Sequence, residues 1–204
     1  MARYLITHSL LSSWLYAMKE NPNEDMTTAK DPMEDFFKTL RREPIDVTDA
    51  IQNGLDFEAL VTDIIHGAGD RSNPWWDAAS VIADELRDAQ LQFVAKRTVN
   101  IGGDEFLLYG RLDALHAGVI TDIKFSKGYD RGKYIDSTQH PMYMFLIPGA
   151  YQFTYLVSNG TEVWHETYRR DETPDILPII RDFLDWLRGH GLYGLYCEYW
   201  KAAA

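Results

Sequence analysis

The chain has a single cysteine, Cys197. One thiol closes no internal disulfide and cannot furnish the four thiolates of an iron–sulfur cluster. It suits a reducing compartment, so a cytoplasmic protein is expected. Long apolar runs are missing too: none approaches the roughly 18 residues that span a bilayer, and no membrane association is expected. Residues 1–6 lead on to Ser12, Ser13 and Trp14, without an extended apolar core and small-residue cleavage site, so no signal peptide is read. His and Cys do not fall at zinc-site spacing, and no Gly-x-x-x-x-Gly-Lys-Ser/Thr loop is present to cradle nucleotide phosphates. Positive charge is scarce. Lys and Arg number 20 against 31 Asp and Glu, a net charge of −11, the reverse of the basic footprint of a generic nucleic-acid binder. A nuclease survives that test, because carboxylates that hold cations enter the count and the bound cations reverse the local charge.

What is present describes an ordinary globular chain. Hydrophobic residues make up 46% and charged ones 25%, which disfavours disorder, and 204 residues suffice for one domain with a substantial core. No internal repeat, low-complexity segment or linker is visible. Apolar spacing predicts a helix capped by Ser9 with Leu11, Trp14, Leu15 and Met18 on one face, then a loop over 21–28. Asp31-Pro32 carries the cap and first-turn signal of a second helix with Phe36, Phe37 and Leu40. A short helical turn after Thr48 is expected to end at Asn53-Gly54. A separate helix carrying Phe57, Leu60, Val61, Ile64 and Ile65 should follow, stopped by Gly67. Asn73-Pro74 opens another with Trp75, Ala79, Ile82 and Leu86. Five helical pieces are thus expected before any strand.

The pattern then switches to period two. Phe93, Ala95, Arg97 and Val99 alternate with polar neighbours, Gly102-Gly103-Asp104 turns, and strands follow over 105–114 and 119–125. A polar loop over 126–136 precedes a helix capped by Ser137 and closed by Pro148-Gly149. A hairpin across Ser158-Asn159-Gly160, a long helix from Pro174 and a short aromatic helix at Tyr193–Trp200 complete the chain. The order helix, three antiparallel strands, helix, strand pair implies an α+β fold around one central sheet. One domain spans 1–204, mainly helical over 1–90, with the sheet core at 91–168 and terminal helices at 173–202.

The candidate chemistry gathers on the hairpin from Tyr109 to Lys124. Asp122 and Lys124 share a strand face, with Ile123 on the other. A turn with an even number of loop residues at His116–Gly118 puts Asp113 on their face. Two carboxylates and an ammonium then converge, which suits a divalent cation and an aligned water. Singly, each has a plainer reading: Asp113 as a turn cap, Glu58 as the solvated edge of an amphipathic helix, Gln139 and Tyr143 as a helix pair four apart.

Their order changes the weighing. Gly54-Leu55-Asp56-Phe57-Glu58, Gly110-Arg111-Leu112-Asp113, Asp122-Ile123-Lys124 and Gln139-His140-Pro141-Met142-Tyr143 follow one another along the chain. With Ser9–Trp14 ahead of them, the chain resembles the PD-(D/E)XK nuclease superfamily, in its RecB-like, CRISPR-associated-exonuclease-like branch of stand-alone phage or prophage type. The third motif opens with Asp where many members have Glu, and the four cysteines of some relatives are missing. The resemblance implies a restriction-endonuclease-like core in αβββαβ order. It also implies a metal-dependent DNA phosphodiesterase, an exonuclease in phage replication, recombination or repair. A structure-selective endonuclease and a non-catalytic DNA-end-binding protein are the alternatives. By the same resemblance Glu58, Asp113, Asp122 and the Ile123 carbonyl hold the metal. Lys124 orients and helps deprotonate water, and Gln139 and Tyr143 contact the substrate or buttress the site.

Hard oxygen ligands favour one or two Mg2+ or Mn2+ ions over zinc. Lys127, Arg131 and Lys133, interleaved with Tyr129 and Tyr134, suit the phosphates and bases of DNA ends or single strands, a solvated surface loop being the alternative. Without a nucleotide motor of its own, the chain would take any helicase or recombination partner from another polypeptide. His66 and His116 read as structural or exposed rather than ligands, His140 as a weak candidate phosphate contact, and Trp75-Trp76 and the C-terminal aromatics as core.

Overall fold

The computed structural model describes residues 4–19, 31–44 and 46–202; the loop expected over 21–28 lies outside them. A mixed six-stranded sheet is flanked by helices on both faces, an α+β architecture. In chain order the elements are β1 (Tyr4–Thr7), α1 (His8–Met18), α2 (Pro32–Leu40), α3 (Asp49–Ile65), α4 (Trp76–Glu85), β2 (Gln90–Ile101), β3 (Asp104–His116), β4 (Val119–Phe125), α5 (Gln139–Leu146), β5 (Gln152–Ser158), β6 (Val163–Arg169), α6 (Ile176–Gly189) and α7 (Tyr193–Tyr199). None of these helices is long and apolar enough to cross a membrane.

Three expectations need correction. Among the described residues a strand, β1, precedes every helix, and four helices rather than five stand ahead of β2. Helix α1 is capped by Thr7, whose Oγ1 accepts from the Leu10 N–H, so Ser9 is already inside the helix. The turn after Thr48 does not end at Asn53-Gly54: one helix runs from Asp49 to Ile65, with Thr48 as its cap. A mid-helix glycine costs only about 1 kcal/mol against alanine, and burying Phe57, Leu60 and Val61 outweighs it. Helix α2 starts as expected, with Asp31 accepting from the Met33 N–H and Pro32 in the first turn.

Strand β3 organises the sheet. One side pairs antiparallel with β2 along nearly its whole length. The other side is shared: β1 runs parallel to Phe106–Tyr109, and β4 runs antiparallel to Ala114–His116. Beyond the Ala114–Thr121 pair β4 leaves β3 and follows β5 in parallel from Val119 to Phe125. The gap between β1 and β4 is where helix α5 docks.

Two apolar clusters sit on opposite faces. The larger joins α1, α2, α5, α6 and α7 to the sheet through Leu10, Phe36, Met142, Phe153, Phe183 and Tyr196. The smaller joins α3 and α4 through Phe57, Leu60, Val61, Ala79 and Ile82. Phe93 and Leu112, cross-strand partners, pack with the larger cluster; Leu91 and Ala114, two residues away in each strand, pack with the smaller. A regular pleat keeps residues two apart on one face. The alternation therefore slips once, at the row that Gln92 and Asp113 occupy.

Gly110 explains how α5 comes so close. A Cβ there would lie 2.6 Å from Tyr143 Cε1 and 2.9 Å from Leu146 Cδ1, inside any tolerable contact. Both side chains are buried, and the Tyr143 hydroxyl donates to the Arg111 carbonyl at 3.0 Å. Gly110→Ala should lower stability by about 1–3 kcal/mol, the usual cost of overpacking, read as a lower denaturation midpoint at unchanged m-value.

Candidate active site

The site lies where β3 and β4 part. The two-residue turn at Ala117-Gly118 has positive φ at both positions, 46° and 82°, the twist a tight hairpin requires. It sets Ala114 opposite Thr121, the last pair of the ladder, and the residues that follow, Asp113 and Asp122, come close enough for their charges to act on each other, as the even loop predicts. There the ladder stops. The Ile123 N–H donates instead to Asp113 Oδ2 at 2.8 Å, so a side chain takes over from a backbone carbonyl.

Asp122 is 3% exposed. Its Oδ1 accepts from the Gln139 side-chain amide, and its Oδ2 lies 2.7 Å from Lys124 Nζ in an ion pair. That Oδ2 has no aligned hydrogen-bond donor. Burial, then the charges of Asp122 and Glu58, push the Asp113 carboxyl well above the usual carboxylate range, against the Ile123 N–H and Lys124. Burial also raises Asp122, with Lys124, Gln139 and Asp113 pulling it back. Burial alone would push the Lys124 ammonium down; Asp122, Asp113 and Glu58 outweigh it and hold the group above the ordinary lysine range. As it stands Lys124 is a donor and counter-ion, not a base.

Glu58 approaches from α3 on the other side. Its Oε1 accepts from Gln92 Nε2 at 2.7 Å, and its charge is felt by both Asp113 and Lys124. Among the described residues no three His, Cys, Asp or Glu side chains stand close enough to form a ready-made cage. The donor chemistry nevertheless fits a hard divalent cation. Two buried neighbouring carboxylates share one ammonium, and one of their oxygens is left without a hydrogen-bond donor. Burial and mutual repulsion make such a pair favour added positive charge, whether a proton or a cation.

The first residue of α1, His8, also belongs here, and no pattern in the sequence marked it. Its ring stands edge-on to Tyr143 at 5.3 Å, its Nδ1 is buried without a partner, and its carbonyl accepts from the Thr138 hydroxyl. Burial first, then Lys124, hold it neutral, with a pKa of about 3. Gln92 was likewise missed, being one polar residue within an alternating strand.

The loop over 126–137 forms a wall beside the site. Glu166, on β6, accepts from the backbone N–H groups of Gly132 and Tyr134. Tyr129 stacks on Trp164 at 5.7 Å, and Tyr134 on Tyr155 at 4.4 Å. These aromatics fasten the loop rather than standing free for bases. The loop cations Lys127, Arg131 and Lys133 are all exposed, and Lys133 Nζ donates to Ser126 Oγ and the Gly128 carbonyl. His140 is no phosphate contact: it is 1% exposed and lies flat on Tyr168 at 4.1 Å. His116 Nδ1 is hydrogen-bonded to the Asp88 carbonyl, and Trp75 packs on Phe57 and Phe125, both as expected.

No family model matches the chain, and no curated protein matches it. Among solved structures, the crystal structure of SSO0001, an archaeal protein, superposes with a TM-score of 0.54 at 18% identity. The match covers 92% of this chain and 77% of that one. At that identity the likeness concerns the fold.

The carboxylate pair has a consequence for pH. Raised in the folded state, Asp113 binds a proton that the unfolded chain has already released, so its contribution to stability falls as pH rises above about 4. Asp113→Asn keeps an oxygen for the Ile123 N–H and cannot ionise. In chelator, thermal melts from pH 5 to pH 8 should show the variant gaining on wild type as pH rises. Added Mn2+ should close the gap at pH 8.

Proposed function

We propose that the chain is a metal-dependent deoxyribonuclease on a restriction-endonuclease-like core, acting as an exonuclease at DNA ends or single strands. The observation that carries this reading is the buried Asp113–Asp122 pair with Lys124 Nζ 2.7 Å from Asp122. Supporting it, the helix and strands ahead of the site, the helix and strand after it, and the four motifs follow the order that the superfamily resemblance implies.

In this reading Asp113 and Asp122 would supply anionic oxygens to the metal, and the Ile123 carbonyl and Glu58 would complete the set, as the superfamily resemblance implies. When bound, Mg2+ or Mn2+ polarises a phosphoryl oxygen and lowers the pKa of a coordinated water. Gln139 holds Asp122 in one orientation through its amide. Tyr143, tied to the Arg111 carbonyl, keeps α5 against β3 and so holds Gln139 in reach. Lys124 stands ready to donate to the attacking water or to a non-bridging phosphate oxygen. It can take a proton only once the negative charge of Asp122 is drawn elsewhere. Lys127 and Arg131, exposed on the fastened loop, offer phosphate contacts beside it.

Incubation of end-labelled linear and circular DNA with Mg2+ or Mn2+ tests this. Linear DNA should be degraded and circular DNA spared. Asp113→Ala and Lys124→Ala should each slow cleavage by about 100-fold or more, the loss seen when one group stabilising transition-state charge is removed. Cleavage that survives both substitutions would overturn the site assignment, and cleavage of circles would make the protein an endonuclease. DNA binding by the inactive Asp113→Ala protein, followed by anisotropy, should weaken as salt rises, and Lys127→Ala with Arg131→Ala should flatten that dependence.

A further inference from the structure

Gln92 occupies the sheet position opposite Asp113, between the Leu91–Ala114 and Phe93–Leu112 pairs, but is not itself paired. Its φ is +51°, left-handed backbone within a twelve-residue strand. A non-glycine residue held there costs on the order of 1–3 kcal/mol and persists only where its surroundings demand it. No tight turn needs this conformation, because β2 continues through the position. Its visible result is that the Gln92 amide reaches α3. Nε2 donates to Glu58 Oε1 at 2.7 Å, leaving Oε1 buried with no hydrogen-bond partner. Rotating the amide would set oxygen against carboxylate oxygen, so this orientation is the one chemistry allows. The orphan is therefore an acceptor.

We infer that Gln92 is a positioning residue for Glu58 and that its free Oε1 is an additional, uncharged oxygen donor of the cation site. The inference rests on the metal-dependent reading above and adds a residue that the acidic motifs do not contain. Amide oxygens are accepted ligands of hard divalent cations or of their waters. A neutral donor completes such a set without adding a further charge to three carboxylates already facing one ammonium.

Titration of the full chain with Mn2+ by calorimetry, without DNA, tests the assignment. Gln92→Gly removes the amide and takes positive φ freely. Gln92→Asn tolerates positive φ but is one methylene too short to reach Glu58. Both should bind Mn2+ about 10-fold more weakly, the scale of losing a residue that orients a metal ligand, while metal-free Gln92→Gly melts at or above wild type. Because Gln92 acts partly through Glu58, its loss should cost less in a Glu58→Gln background. Asp113→Asn should bind far more weakly than either variant. Affinity unchanged in both Gln92 variants but lost in Asp113→Asn would overturn the inference and leave the nuclease reading standing. A Gln92→Gly protein that melts lower and binds Mn2+ as wild type does would make Gln92 scaffold only, again overturning it. Wild type that takes up no Mn2+ at millimolar concentration would remove both.

Discussion

Two carboxylates buried side by side, with one ammonium between them and neutrality, are the constraint on which the rest of this structure turns. Asp113 and Asp122 come together because β3 and β4 are joined by a two-residue turn and then separate, so the strand pairing that creates the site also ends at it. The separation leaves backbone groups without ladder partners. Asp113 answers the Ile123 N–H, and the Tyr143 hydroxyl answers the Arg111 carbonyl. Each of these bonds both satisfies buried backbone and fixes a site residue. The site and the end of the ladder are one feature.

The supports behind it follow the same logic. Helix α5 must lie close to the sheet to bring Gln139 to Asp122, and Gly110 removes the one side chain in its way. At its other end, the Arg170 guanidinium donates to the carbonyls of Met144, Ile147 and Ala150, holding the exit of the helix. The 126–137 wall is fixed by Glu166, which sits low in the carboxylate range although burial opposes it, because Tyr168, Tyr129 and two backbone N–H groups favour its charge. Gln139 thus meets Asp122 from a helix held at both ends, beside a loop that is itself fastened.

Much of this was legible in the sequence, and what was not has local causes. Asp31-Pro32 announced α2 because a cap and a first-turn proline act within a few residues. The strands from Phe93 to Phe125 announced themselves by alternation and by glycines at turns. The face shared by Asp113 and Asp122 followed from the even loop alone. Strand β1 was hidden because Tyr4–Thr7 is too short to show a period, and its partners are distant: residues 106–109, a hundred positions away, and Trp200 and Lys201 near the other end of the chain. Asn53-Gly54 looked like a stop, yet nothing lies within 4 Å of where a Gly54 Cβ would be, and the burial of Phe57 and its neighbours carries the helix through. His140 was misjudged because its position beside Gln139 says nothing of Tyr168, whose ring covers it.

Gln92 shows where sequence reading ends in principle. Nothing in Leu91-Gln92-Phe93 signals left-handed backbone, and the partner that Gln92 meets in that conformation, Glu58, lies on a helix over thirty residues earlier. Left-handed backbone at Gln92, an orphan amide oxygen, an interrupted ladder and a carboxyl raised by burial and like charge each run against stability. They fall together on one row of the sheet and where β4 leaves it, and the ladder on either side of that row is regular. Independent defects would scatter. Costs concentrated at one point are what a site built for a task shows, and the carboxylates and the amide oxygen among them are the groups that added positive charge would satisfy, which is why the proposed cation site is placed there.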